Sequence, residues 1–378
     1  MKKGRTISMK TIDRFDFHLP TKILFGRGRV RDIGSHVPDE ARRVLVVTDR
    51  GVATRTPALD AVRRGLEGRD VRVFDGVEEN PSLATVEAGA KEARDFGAQL
   101  VVGLGGGSPM DAAKGVALAA VHDGDIRGLL AGGEPTRPAL PVVAVPTTSG
   151  TGSEVTPYAV FTDPQAGNKV GYGHPSIFPA VAIIDPDLSA GMPETVALNT
   201  GLDVLAHAVE AYLSTIASPL SDTLALHAAE AVLSHLAPAV RKVPESIDRM
   251  AYAAMLAGVA ITHGSTILPH IMGYPLTMFY GIPHGRASAV LLAPVLDFLR
   301  RAGRVPDRIR TIDGLFAPLG GIPAYLSGLG VSTRLSDYGV REDELPDFAR
   351  KTIVKGDVRI TPAAVTVEEL AEIYRAAL

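Results

Sequence analysis

Asp203 and His207 stand four residues apart in GLDVLAHAVE (201–210), a stretch that is otherwise almost wholly apolar. Four residues is close to one helical turn, so on a helix the carboxylate and the imidazole leave from one face. An isolated pair of this kind is a local hydrogen bond or a weak surface pair. With more nitrogen or oxygen donors nearby, it becomes half of a metal site. Such donors occur in THGSTILPHIMGYPLTMFYGIPHGRAS (262–288), which carries His263, His270 and His284. Asp203, His207 and two of these three make an N3O set suited to a borderline divalent ion such as Fe²⁺ or Zn²⁺. Residue types alone do not say which histidine to leave out. Cysteine is absent, so disulfides, thiolate nucleophiles and Cys-ligated metals are excluded.

A second kind of chemistry is written in glycines and hydroxyls. In VVGLGGGSPMD (101–111) an apolar strand runs into glycines and then into Ser108-Pro109-Met110-Asp111. Ser108 suits an N-cap, Pro109 the first helical position, and Asp111 falls three residues after the serine. Glycines admit a close ligand and a helix N-terminus presents free N–H groups, so a pyrophosphate is the natural guest. VPTTSGTGSEVTP (145–157) follows the next strand, and its Thr147, Thr148, Ser149, Thr151 and Ser153 can bind ribose, phosphate or amide groups. Asp49 closes the strand VLVVTD (44–49); an acid there accepts from an adenosine ribose and repels a 2′-phosphate.

These residues need two kinds of scaffold. Up to about residue 190, apolar strands alternate with helical stretches: RRVLVVTD (42–49), DVRVFDGV (70–77), the helix ATVEAGAKEARDFG (84–97) with its glycine stop, AQLVVGLGGG (98–107), ALPVVAVPTT (139–148) and AVAIIDPDL (180–188). That rhythm predicts a parallel sheet covered on both faces. Beyond it, Ala- and Leu-rich helical spacing predominates. The expectation is an α/β dinucleotide-binding domain over 1–190 and an all-helical metal-binding domain over 191–378.

Composition narrows the class. The 378 residues are 46% hydrophobic and 21% charged, with net charge −3. This is a globular balance and argues against disorder and against a nucleic-acid surface. MKKGRTISMK at the start lacks the apolar stretch of a signal peptide, and no run approaches the ~20 apolar residues of a membrane span. The expected setting is the cytoplasm, without a membrane partner.

In chain order, PTKILFGRG (20–28), LVVTD (45–49), GGGSPMDAAK (105–114), PTTSGTGSEVT (146–156), IIDPDL (183–188), TGLDVLAHAVEAYLS (200–214) and HIMGYPLTMFYGIPHGRA (270–287) resemble the iron-containing (group III) alcohol dehydrogenase family. The likeness spans essentially the whole chain. It implies a dehydroquinate-synthase-like fold with NAD(P) in a cleft between the two domains, and a homodimer or larger homo-oligomer. It also implies a divalent metal, Fe²⁺ before Zn²⁺, and a small alcohol or aldehyde as substrate. By position, the metal ligands become Asp203, His207, His270 and His284, which leaves His263 outside. Asp49 matches the position that favours NAD over NADP. Asn80, Gly106, Gly107, Ser108, Asp111, Thr147, Thr148, Thr151 and Lys169 match the remaining cofactor-binding positions.

One position departs from the pattern. Many members carry another histidine four residues after the first ligand of the second pair, and here that residue is Tyr274. A tyrosine side chain, with an ordinary pKa of about 10, is a poorer proton relay at neutral pH, so Tyr274 is expected to shape the substrate pocket. The substitution keeps two alternatives open. One is a hydroxyacid–oxoacid transhydrogenase of the same family. The other is a relative of dehydroquinate synthase or glycerol-phosphate dehydrogenase.

Overall fold

The computed structural model describes residues 7–12, 14–122, 126–130, 132–163 and 168–378. Its strands are β1 (Lys22–Phe25), β2 (Arg43–Val47), β3 (Asp70–Phe74), β4 (Leu100–Gly105), β5 (Val142–Pro146), β6 (Tyr158–Asp163), β7 (Asn168–Gly173) and β8 (Val181–Ile184). Six form one parallel sheet in the order β1-β8-β5-β4-β2-β3, while β6 and β7 pair antiparallel. The sheet shows why its strands are apolar without interruption. Val44 and Val46 of β2 join one buried cluster with Ile33 and Val62, and Leu45 and Val47 join a second with Ala112 and Val116. Successive side chains point to opposite faces, and both faces are covered.

The helices of this unit are α1 (Arg50–Arg55), α2 (Ala58–Gly65), α3 (Leu83–Phe96), α4 (Gly107–Ala120), α5 (Ile126–Leu130) and α6 (Pro186–Ser189). The predicted glycine stop is realised: Gly97, at φ 67°, caps α3 and donates its N–H to Ala93 and Arg94 carbonyls. The predicted start of α4 is corrected. The N-cap is Gly106, with no side-chain cap, because the helix begins before Ser108 and that hydroxyl serves another donor. The strand β1 and the β6–β7 pair are elements that periodicity did not reveal.

The remaining helices are α7 (Glu194–Leu213), α8 (Pro219–Val240), α9 (Pro244–Gly264), α10 (Leu268–Tyr280), α11 (His284–Arg301), α12 (Pro306–Phe316), α13 (Ile322–Gly328), α14 (Leu345–Ile353) and α15 (Val367–Ala376). Leu202, Val204, Leu205, Ala206, Val209 and Tyr212 are wholly buried, and from Gly201 to Leu213 α7 is enclosed all round. Every polar side chain on that buried part of α7 is therefore costly unless it is matched. Among the described residues no single helix is long and apolar enough to cross a membrane.

By compactness, residues 18–197 and 242–258 form the α/β unit; 198–241, 259–378 and the described residues up to 17 form the helical one. This differs from a boundary near 190 in two segments. The stretch up to 17 is tied to helical neighbours: Ser8 N–H donates to Thr311 Oγ1 at 3.0 Å and Lys10 N–H to Asp222 Oδ2 at 2.7 Å. Compactness joins residues remote in the chain, which a change of local rhythm does not register.

Candidate functional site

In the helical unit, α7 supplies Asp203 and His207, α10 supplies His270, and α11 begins with His284. His270 Nε2 lies 3.4 Å from Asp203 Oδ1, and His284 Nε2 lies 3.9 Å from the same oxygen. One ligand atom from each of these three residues falls within 4.8 Å of the others. Asp203 Oδ1 and His270 Nε2 are both buried and neither makes a hydrogen bond. Two orphaned polar atoms facing each other in a buried interior require a partner. A divalent cation between a carboxylate and imidazole nitrogens fits that donor set.

The electrostatics agree. Burial opposes a charged His270, but Glu210 and Asp203 outweigh it and raise its pKa to about 10. Burial likewise works to raise Asp203, yet His207, His270 and His284 hold it well below the usual carboxylate range. The centre is built to hold positive charge, as a proton or as a metal ion.

The other histidines are placed differently. His207 packs flat on His270, with centroids 4.4 Å apart and planes 18° apart, so its ring stands beside the convergent trio and not within it. His263 stacks on Phe17 at 4.0 Å, away from the cluster. Tyr274 lies parallel to His284, centroids 5.7 Å and planes 23° apart, with Lys355 Nζ 5.8 Å from its ring centre. Because His284 retains 29% of its side-chain exposure while Asp203 and His270 keep 5% and 4%, the centre opens on the His284–Tyr274 side.

Sequence reasoning missed Glu210. This fully buried carboxylate accepts from Ile267 N at 2.7 Å and from His270 N at 3.3 Å, and its other oxygen contacts His270 Nδ1. The signal was present as a third polar residue on the same face of α7, seven positions after Asp203.

In the α/β unit the candidate cofactor residues gather at the carboxyl ends of neighbouring strands. The chain runs from β2 outward to β3 and returns to β4 on the other side of β2. The ends of β2 and β4 thus flank the topological switch point, where open sheets bind ligands. Asp49 follows β2, Gly106, Gly107 and Ser108 follow β4, and Thr147, Thr148 and Thr151 follow β5. Asp49 is half-buried and caps α1 by accepting from Val52 N at 2.9 Å. The two loops after β4 and β5 touch: a Cβ on Gly107 would meet Thr151 Cγ2 at 2.6 Å, and one on Gly106 would meet Thr148 Oγ1 at 3.3 Å.

Asn80 joins further parts. At φ 58°, a left-handed conformation that asparagine tolerates, it donates its N–H to Ser108 Oγ at 3.1 Å. Its carbonyl accepts from Thr162 Oγ1 at 2.9 Å and its Oδ1 from Lys169 Nζ at 2.7 Å. Asp111 makes no capping box. It accepts from Ser153 Oγ at 2.6 Å and Val160 N at 2.9 Å, and so pins the β5 loop and β6. Beside it, Lys114 is completely buried and donates to Ser153 Oγ, Thr156 O and Tyr158 O at 2.7–2.9 Å. Burial lowers the Lys114 pKa to about 8 and raises that of Glu154 to about 7.

Comparison with known proteins bears on both sites. Residues 20–186 match the family model described as iron-containing alcohol dehydrogenase, and residues 197–378 match the C-terminal domain of the Fe-containing alcohol dehydrogenase family. The 1,3-propanediol dehydrogenase of Citrobacter freundii is 34% identical, covering 96% of this chain and 98% of that one. An iron-containing alcohol dehydrogenase from Thermotoga maritima superposes with a TM-score of 0.89 at 36% identity, over 97% of this chain and 99% of the other. Sulfoacetaldehyde reductase from Bifidobacterium kashiwanohense in complex with NAD+ superposes at 0.85, with 29% identity over 97% and 99%.

Proposed function

This chain belongs to the iron-containing alcohol dehydrogenase family, whose reaction is alcohol and aldehyde oxidoreduction, and on that premise we propose how its own residues serve the chemistry. Asp203, His270 and His284 hold the divalent ion, Fe²⁺ before Zn²⁺, and the observation that carries this is their convergence; His207, stacked on His270, joins them as the fourth ligand on the family resemblance alone. When bound, such an ion acts as a Lewis acid on the substrate oxygen, and a nicotinamide dinucleotide carries the hydride.

The protein's own contribution is charge, shape and position. Asp203 brings a full negative charge into a buried interior, and neutral imidazoles beside it leave the loaded centre attractive to a substrate oxygen. Tyr274 lies on the open side, where its ring shapes the pocket and its hydroxyl orients the substrate. Replacing it by phenylalanine is expected to change KM or substrate preference while metal content stays constant; unchanged kinetics would make it a packing residue.

NAD is the preferred cofactor of the proposal. It is held by Asp49, Asn80, Gly106, Gly107, Ser108, Thr147, Thr148, Thr151 and Lys169, with Asp111 pinning the loops. Asp49 meets a 2′-phosphate with like charge, which favours NAD over NADP. A cytoplasmic homodimer, implied by the family resemblance, completes the reading, and light scattering measures its assembly directly.

The deciding experiment strips the purified protein of metal and reloads it with Fe²⁺, Zn²⁺ or Mn²⁺ against a panel of small alcohols and NAD. Steady NADH formation from a single alcohol is expected. Hydride exchange only between two added substrates would favour the transhydrogenase alternative, and NAD that cycles without net reduction would favour the synthase-type one.

A further inference from the structure

We propose that Glu210 is a positioning residue of the metal centre, fixing the tautomer of His270 so that Nε2 is the donor atom. The inference rests on the reading that Asp203, His270 and His284 hold a divalent ion.

Glu210 is fully buried on α7, three residues after His207. Its two oxygens divide their work. Oε2 accepts from the backbone N–H groups of Ile267 and His270 at the start of α10, and Oε1 contacts His270 Nδ1. With Glu210 ionised, its carboxylate only accepts hydrogen bonds, and Nδ1 then carries the hydrogen. In the neutral imidazole Nε2 then presents its lone pair. That atom is the one 3.4 Å from Asp203 Oδ1 and within the cluster that includes His284. One side chain thus sets the start of the helix bearing His270, the orientation of its ring, and the nitrogen left open.

Capping alone does not call for a charge here. Backbone donors at a helix start are satisfied by neutral serine or asparagine, whereas a carboxylate at zero exposure carries a large desolvation cost. A carboxylate that accepts from the second nitrogen of a ligating histidine raises the basicity of the ligand and locks its ring. With Asp203 it also brings two negative charges to the centre, the complement of a divalent cation.

The isosteric Glu210→Gln variant isolates this role. Glutamine has one acceptor oxygen and one donor nitrogen. If its oxygen faces the two backbone N–H groups, its amide donates to Nδ1 and drives the hydrogen to Nε2, closing the donor. If the amide is reversed, its N–H groups confront backbone donors. Neither orientation serves both partners.

The test titrates metal-stripped protein with Zn²⁺ against a chromophoric chelator. Wild type is expected to bind one ion per chain, and Asp203→Ala and His270→Ala to lose it. If wild type binds none, or if those two variants bind normally, the metal-site reading itself fails. With that reading intact, Glu210→Gln is expected to bind zinc roughly 10–100-fold more weakly while circular dichroism shows a folded chain. A lowered melting temperature with wild-type zinc affinity would reduce Glu210 to a helix cap and overturn the proposal. Nitrogen-15 spectra of zinc-loaded wild type, labelled at histidine, decide independently of any variant. A protonated Nδ1 with metal on Nε2 is expected at His270, and metal on Nδ1 would refute it.

Discussion

Gly285 sits where α11 comes close to α7, and replacing it with alanine should dismantle the metal centre without unfolding the chain. A Cβ at this position would lie 2.1 Å from Asn199 O, 2.6 Å from Asp203 N and 2.6 Å from Asp203 Cβ. Carbon atoms pack comfortably at about 3.5 Å or more, so the added methyl needs the start of α11 to retreat by roughly 1 Å. The obstructing atoms are mostly helix backbone and cannot turn aside as a flexible side-chain tip does. The residue carried along is His284, its neighbour in the chain and first residue of α11. Overpacking of this kind costs about 1–3 kcal/mol, which a chain of this size tolerates. Metal–ligand distances tolerate only about 0.2 Å, and a 1 Å misplacement can cost about 100-fold in rate. The expected outcome is a folded protein with a modestly lower melting temperature, reduced metal content and kcat/KM down by about two orders of magnitude. Metal analysis, circular dichroism and kinetics on one preparation read all three. Gly328→Ala, in α13 with nothing within 4 Å of the new methyl, is the neutral control. If Gly285→Ala keeps wild-type metal content and kcat/KM, the close approach of α11 to α7 does not set the position of His284.

Three further predictions follow from other parts of the structure. Asp49→Ser keeps a good cap for α1 but removes the charge, so the preference for NAD should relax by about 1–3 kcal/mol in the ratio of kcat/KM values; a wild type that already favours NADP refutes the assignment. Arg308 is buried, grips Asp222 through both oxygens and lies 3.9 Å over the Tyr212 ring. Asp222→Ala should therefore cost about 3–5 kcal/mol in denaturant unfolding by stranding the guanidinium, whereas an apolar replacement of both partners should recover most of the loss. Burial raises Glu154 from its ordinary 4.5 to about 7 against the pull of Lys114. Between those values the folded protein keeps a proton that the unfolded chain has lost, so this contribution is complete below about pH 4.5 and disappears as pH rises through 7. Glu154→Gln should flatten that decline, worth about 3 kcal/mol at most, in melting temperature against pH; parallel curves for the two proteins would count against it.

Much of the site was readable because local spacing carries its chemistry. The four-residue interval between Asp203 and His207, the uninterrupted apolar strands and the glycine that ends α3 are all decided within a turn or two of chain. Backbone geometry and side-chain burial act there at short range. The residues that follow the strands are likewise visible as glycine and hydroxyl clusters, and parallel topology alone places them at one edge of the sheet. What local pattern leaves open is decided by partners remote in sequence. Which histidines converge depends on how closely α11 approaches α7, and that approach turns on the missing Cβ of Gly285. Ser108 and Asp111 looked like a helix start, yet Ser108 accepts from Asn80 and Asp111 holds Ser153 and Val160. Glu210 reads as one more polar residue on a buried helix until α10, sixty residues on, brings two backbone donors and the His270 ring to it. A buried polar side chain declares its role only through the partner that satisfies it. That partner is supplied by packing, over distances along the chain that no periodicity records.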